Sequence, residues 1–438
     1  MFLPTLFWLA AVAIAGVHAR SSAGDSVLVV VEPEHQAKYS IFFQNIKDRG
    51  YELTFRAPQT EEPRLVEFDA PKFSHVVILA PEIKSIAKDI GPQGLVDVLS
   101  RGVNLLVALP QKQSPLSAFA AEFSLILPPP NTHLISYFPE RNESATIIPV
   151  APSKDHPILT NGITPIWFSG APHALSTNPY LVPILHAPAQ SFAGEPDSPG
   201  DVLADAAEKG GEGLWAGSQL GIVTGFQASN NARVTFVGGR EVFSDEFAQK
   251  EINPGTKSGN TQFVNDIVAW TFQESLVFRV DKVEHRGLNT PISSDKYTVN
   301  DNVIFSAYIS KYDPQTSTWA SYSGIDDLQL EFTMLDPHIR TALLPESETP
   351  GKYSVTFRVP DRHGVFKFVI NHRRNGMTYL QSSTTVAVVP PRHDEYPRFL
   401  SAAWPYYVGA MSTSIGFVLF SALWMARDVR EEKKGKTE

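Results

Sequence analysis

Cysteine is absent from this 438-residue chain. Its absence excludes disulfides, a thiol nucleophile, a redox dithiol and any cysteine-ligated zinc. An exported chain of this composition has to hold together by packing alone. Charge is also scarce: 19% of positions are charged, with a formal net charge of −9. No basic stripe stands out before the last residues, which argues against a nucleic-acid partner. Familiar catalytic frames are missing too. No G-x-G-x-x-G or G-x-x-x-x-G-K-[ST] follows a predicted strand, so no cofactor cradle is expected. The twelve histidines show no H-E-x-x-H spacing, so no metal site is expected. Ser169 lies in Phe168-Ser169-Gly170, outside the G-x-S-x-G frame of a nucleophile elbow. Asp326-Asp327 is expected on a strand, where adjacent carboxylates point to opposite faces and make a poor acid–base pair. No residue emerges as catalytic.

One long apolar run organises what is present. Phe399 to Ala426 contains no charged residue, and about 20 apolar residues suffice to cross a bilayer core of about 30 Å. Trp404, Tyr406 and Tyr407 stand at one end and Trp424 at the other, as an aromatic belt would. Arg427, Arg430, Lys433, Lys434 and Lys436 follow, which puts the tail (427–438) on the cytoplasmic side. Pro405 falls in the first turn, where its missing N–H costs little. Gly409, Ser412, Thr413 and Gly416 recur at helical spacing, a small-residue face that lets another helix approach closely in lipid.

The remaining chain divides by texture. Met1 to Ala19 reads as a signal peptide, with Val17-His18-Ala19 as its cleavage site. The bulk then faces the lumen and the topology is single-pass type I. Ser26–Val31, Tyr51–Phe55, Phe73–Leu79 and Val103–Leu109 are strand-like apolar runs. They alternate with helical patterns over about 37–48 and 90–99. This predicts an α/β domain over 25–150, with a parallel, doubly wound sheet. Residues 151–275 read as a second α/β lobe or a continuation, with a strand over Arg233–Gly238 and a helix over Thr261–Gln273. Polar, Gly-rich Asp197–Gly213 is expected to be mobile. From 276 to 390 the hydrophobic period becomes two, with turn residues between short strands, which suggests an immunoglobulin-like β-sandwich. Asn142-Glu143-Ser144 is an N-glycosylation sequon in a predicted loop. Lys434-Gly435-Lys436-Thr437-Glu438 has the K-x-K-x-x form that coat proteins read to return membrane proteins to the endoplasmic reticulum.

Several longer strings carry a resemblance. Asp326-Asp327-Leu328-Gln329-Leu330-Glu331-Phe332, Leu335-Asp336-Pro337, Gly351-Lys352-Tyr353-Ser354-Val355, Gly364-Val365-Phe366-Lys367-Phe368 and Ala403-Trp404-Pro405-Tyr406-Tyr407 resemble the 48 kDa subunits of oligosaccharyltransferase. Phe243-Ser244-Asp245-Glu246-Phe247 is similar as well. The resemblance implies a non-catalytic subunit of the complex that moves a preassembled oligosaccharide from dolichyl pyrophosphate to Asn in N-x-Ser/Thr. It implies a glutamine-amidotransferase-like N-terminal fold, here without the cysteine that would serve as nucleophile. It also implies partners: a multi-spanning catalytic subunit, ribophorin-type subunits and the small defender-against-cell-death subunit, besides membrane lipid and coat proteins at the tail.

Two functional classes follow. The first is a complex-forming subunit whose span packs through Gly409, Ser412, Thr413 and Gly416. The second is a membrane-anchored luminal sugar hydrolase or transferase with a pocket near Asp155 and His156.

Overall fold

The computed structural model describes residues 20–83, 85–197, 199–209, 213–396 and 401–427. The signal-peptide reading of Met1–Ala19 and the lysines Lys434 and Lys436 lie outside these residues. The first domain is built on one large sheet. Its strands are β1 (Ser26–Val30), β2 (Glu52–Arg56), β3 (His75–Ile78), β4 (Asn104–Ala108), β5 (Leu125–Ile126), β6 (His173–Leu175), β7 (Leu181–His186), β8 (Leu220–Gln227) and β9 (Arg233–Val237). Their order is β2-β1-β3-β4-β9-β8-β6-β5, with β7 also paired to β8. The pairs from β2 to β9 are parallel. From β9 outward every pair is antiparallel, so the sheet is mixed where a parallel one was expected. β9 pairs directly with β4, so residues of the 151–275 region extend the sheet begun by the first 150.

Alternation within the strands explains the layers. Val27, Val29, Val77 and Leu106 point to one face and pack with α1 (Ser40–Asp48) and α6 (Asn260–Thr271). Leu28, Val30, Val76 and Leu105 point to the other, against α2 (Pro92–Ser100) and α3 (Pro115–Glu122). Strands covered on both faces read as continuous apolar runs, which is why SVLVV and HVVI were legible. The helix expected over 37–48 is a 3-10 turn through Tyr39 followed by α1. Asp245 fastens its start, accepting from Ser40 N (3.0 Å), Ser40 Oγ (2.6 Å) and Ile41 N (2.9 Å). That carboxylate satisfies N–H groups which a helix start leaves open. Its neighbour Ser244 caps α5 (Asp245–Gln249) through Phe247 N, so the FSDEF string serves two helix starts at once. Within Asp197–Gly213, expected to be mobile, the chain forms α4 (Pro199–Glu208).

The second domain is two five-stranded sheets. One contains β10 (Phe278–Gly287), β12 (Asn302–Asp313), β13 (Thr318–Ser321), β16 (Leu344–Pro345) and β17 (Lys352–Arg358). The other contains β11 (Lys296–Thr298), β14 (Gln329–Thr333), β15 (Pro337–Ala342), β18 (Gly364–His372) and β19 (Leu380–Val389). Their inner faces share one core that includes Phe305, Ile309, Phe332, Phe366 and Phe368. Phe332 stacks on Phe366 at 4.7 Å between ring centres, and Phe305 on Phe368 at 5.1 Å. Sequence reasoning did not name β10, β13, β15 or β16. β15 (PHIRTA) is exposed or half-buried throughout and gives no apolar stripe.

The two domains are joined by buried polar contacts. Arg233 is fully buried with no carboxylate beside it. Its guanidinium donates to the carbonyls of Trp270 (2.7 Å), Ser275 (2.8 Å) and Leu276 (2.9 Å), closing the end of α6 and the linker beyond it. Burial pushes its pKa down to about 9, which leaves it charged at neutral pH. Trp270 Nε1 donates across the boundary to Gly376 O at 2.7 Å, and Gln227 Nε2 to Met377 O at 2.7 Å. Gly225 makes room for that indole, because a Cβ there would stand 2.6 Å from the ring.

Candidate functional site

The least satisfied element is α7 (Trp404–Ala426), preceded by a short 3-10 turn at Ser401–Ala403. It is the one described helix long and apolar enough to cross a membrane, and none of it is buried. The expected span began at Phe399; the described helix starts five residues later, with Pro405 in its first turn. Along α7, Gly409, Ser412, Thr413 and Gly416 follow the i, i+3, i+4, i+7 rule and share one face. Added Cβ atoms at Gly409 and Gly416 would meet nothing. The hydroxyls between them fold back: Ser412 Oγ and Thr413 Oγ1 donate to Gly409 O at 2.9 and 2.6 Å, and Ser414 Oγ to Ala410 O at 2.8 Å. Each donor is thereby satisfied without water, as an apolar surrounding requires.

At the opposite end of the sandwich, next to the first domain, lies a cleft of about 630 Å³. Asp326, Asp327, His372, Arg373 and Arg374 supply its polar wall, with Phe278, Tyr322 and Met377 opposite. The aspartates are not on a strand as expected. β14 begins at Gln329, and both carboxylates sit in the bend before it, lining the same cleft. Leu328 and Leu330 take the core positions there, so the chain can turn to β form only after the pair. Asp327 accepts from His372 Nε2 at 2.9 Å and pairs with Arg374. Burial lowers the His372 pKa, and its Nε2–H donates a hydrogen bond to the carboxylate. Arg373 reaches the first domain, donating to Tyr180 Oη at 3.1 Å and lying over the Tyr379 ring. The cleft therefore offers donors and acceptors for a polar ligand, with its one buried histidine committed. The run Arg373-Arg374-Asn375 directly after β18 is a basic signal that sequence reasoning passed over, and the closure onto Tyr180 leaves no signal in sequence.

Asn142 is exposed, in the loop between short strands at His133–Ile135 and Ile148–Val150. Arg141 organises that loop from within, donating to the carbonyls of Ser136 (2.6 Å) and Ile147 (2.9 Å). Glu143 pairs with Lys250 at 2.8 Å. The sequon side chain is thus held outward on a fixed loop.

Asp155 and His156 do not come together as a reactive pair. Asp155 is exposed, whereas His156 uses both ring nitrogens on backbone. Nε2 donates to Pro183 O at 3.0 Å and Nδ1 accepts from Ile158 N at 3.3 Å. Burial lowers its pKa. A neutral imidazole with both nitrogens engaged is a structural strut. Among the described residues no group of three His, Asp or Glu side chains could hold a metal ion.

Fold and site together define a class: two fused domains, α/β and all-β, carried on a single bare apolar helix. The chain belongs to the OST48 family. The OST48 N-terminal domain matches residues 18–274 and the OST48 middle domain matches residues 283–428. A relative from Danio rerio, the dolichyl-diphosphooligosaccharide–protein glycosyltransferase 48 kDa subunit, is 30% identical over 435 residues, covering 94% of this chain and 93% of its own. The subunit of that name from Caenorhabditis elegans is 30% identical over 439 residues, with 94% of each chain covered. That from Drosophila melanogaster is 28% identical over 457 residues, with 98% of each covered.

Proposed function

We propose that this chain is a non-catalytic subunit of an oligosaccharyltransferase in the endoplasmic reticulum membrane, where it stabilises the assembled complex and scaffolds its luminal side. The observation that carries this is the end-to-end match to relatives named as 48 kDa subunits of that enzyme, at 93–98% of their own length. In this reading α7 spans the bilayer as a single-pass type I anchor. Its Gly409/Ser412/Thr413/Gly416 face packs against helices of the multi-spanning catalytic subunit, the ribophorin-type subunits or the small defender-against-cell-death subunit. Both folded domains lie in the lumen, where Asn142 is open to glycosylation. The chemistry belongs to the multi-spanning partner, because α7 carries no carboxylate to bind a metal or activate an asparagine.

The test is replacement. Cells depleted of their own 48 kDa subunit under-glycosylate a reporter carrying N-x-Ser/Thr sites. Expression of this chain should restore full occupancy; a stably expressed chain that restores none contradicts the reading. Lys434 and Lys436 form the coat-protein contact in this account. An unassembled chain with Lys434→Ser and Lys436→Ser should escape to the cell surface, and unchanged retention counts against that role.

A further inference from the structure

The sandwich has two ends, and the register of its strands assigns every connection to one or the other. The end holding the cleft faces the first domain. At the other end β19 finishes at Val389, and the parallel strand β11 finishes beside it, Thr298 opposite Val389. β12 begins there, with Val303 opposite Gly287 at the finish of β10 and Asn302 opposite Arg358 at the finish of β17. β18 begins there with Gly364 opposite Val388, and β14 ends there with Thr333 opposite Lys367. The segments 288–295, 299–301, 334–336 and 359–363 therefore crowd one end, and the chain leaves that same end toward α7.

This end carries large apolar side chains in the open. Leu335 is 93% exposed, Ile292 75% and Leu288 49%. They come from two separate connections, and Val365 is exposed at the start of β18, the strand next to β14, whose turn carries Leu335. Loop tips in water favour polar and turn residues, and exposed aliphatics gathered from distinct loops mark a surface that meets something apolar. Only residues 390–400 separate Val389 from the turn that opens α7. At no more than about 3.6 Å per residue they reach about 40 Å when fully extended. A turn in which Arg392 N donates to Glu395 Oε2 and Glu395 N to Arg392 O takes up part of that reach. Charges around the end are of both signs, Arg358 and Arg362 against Asp301, Asp336 and Asp361. Such a rim suits a zwitterionic surface and gives no electrostatic preference for anionic lipid.

We propose that the connections bearing Leu288, Ile292 and Leu335 dip into the headgroup region of the bilayer that α7 crosses, so that the sandwich rests on the membrane. This rests on the reading of α7 as a span. The contact orients the whole luminal body relative to the bilayer, since the buried polar junction fixes the first domain on the second. Apolar loops at the interface gain their free energy from the area they bury, with little dependence on salt.

The absence of cysteine makes a direct test available. Single variants Leu335→Cys, Ile292→Cys, Gln315→Cys and Phe417→Cys of the full-length chain each carry one thiol for an environment-sensitive fluorophore. Gln315 lies at the far end of β12, and Phe417 in the middle of α7. After reconstitution into phosphatidylcholine nanodiscs, emission is measured with and without lipids bearing a nitroxide near the headgroup or deeper in the acyl chain. The deep nitroxide should quench the label at 417. The shallow one should quench 335 and 292 at least about threefold more than 315, unchanged by added salt. If 417 is quenched while 335 and 292 behave like 315, the loops stand clear of the membrane and the proposal is overturned. Labels at 335 and 292 shielded from water yet untouched by lipid nitroxide would also overturn it, in favour of a protein cover. Loss of quenching at 417 itself would overturn the span.

Discussion

His75 and His173 are fully buried and held neutral. His75 stacks on Phe272 at 4.3 Å, with Nε2 on Gly24 O and Nδ1 facing Asn104 Nδ2; His173 bonds Thr224 Oγ1 at 2.7 Å. Burial pushes both pKa values down to about 3. In the unfolded chain each ring protonates near pH 6.5, whereas in the fold it does not until about pH 3. Between those limits the unfolded state binds more protons, so stability falls as pH falls, by up to about 1.4 kcal/mol per pH unit for each histidine. Urea denaturation between pH 7 and 4 should show that loss, and His75→Gln should make the dependence shallower. An unchanged slope in the variant would remove His75 from the account. Neither role was legible in sequence, because a histidine in HVVI differs from an exposed one only through Gly24 and Asn104, which approach it in space. The same holds for Arg233: nothing in RVTFV announces a guanidinium closing a helix that ends at Thr271.

Elements whose pattern is set by their own burial were the legible ones. Strands covered on both faces show as unbroken aliphatic runs, and α7 shows as a stretch without charge. Elements that lean on a neighbour were not, such as β15, which is carried by β14 and shows no stripe of its own. The bend holding Asp326 and Asp327 was misread because the strand period was extended two residues too far. At this scale the small-residue face of α7 makes a prediction. Gly409→Leu with Gly416→Leu should leave the helix intact, since both positions are open and Leu favours helix. It should nonetheless lower recovery of membrane partners on mild detergent extraction by about tenfold, as bulky side chains hold helices apart. Recovery equal to that of the parent chain would assign the contact to another face of α7 or to the two folded domains.

The whole molecule is two domains locked by a buried polar seam and joined by a short connection to one bare helix. The cleft at the seam, with Asp327, His372 and Arg374 already engaged to one another, is suited to holding a polar group more than to moving a proton. The family was readable from strings such as DDLQLEF and GVFKF because they fix core positions: Leu328, Leu330, Phe332, Phe366 and Phe368 are all buried. Which surface of the folded domains meets a partner left no mark of that kind, since exposed residues are not held by the core. The central claim is that the chain works as part of an assembly and supplies no catalysis alone. The most direct measurement is affinity purification of the tagged full-length chain in gentle detergent, with partner identification and an assay of oligosaccharide transfer from a dolichyl-linked donor to an N-x-Ser/Thr peptide. The account predicts stoichiometric membrane partners with transfer activity, and no activity for the chain stripped of them. A chain that purifies without partners and processes a sugar substrate unaided would contradict it.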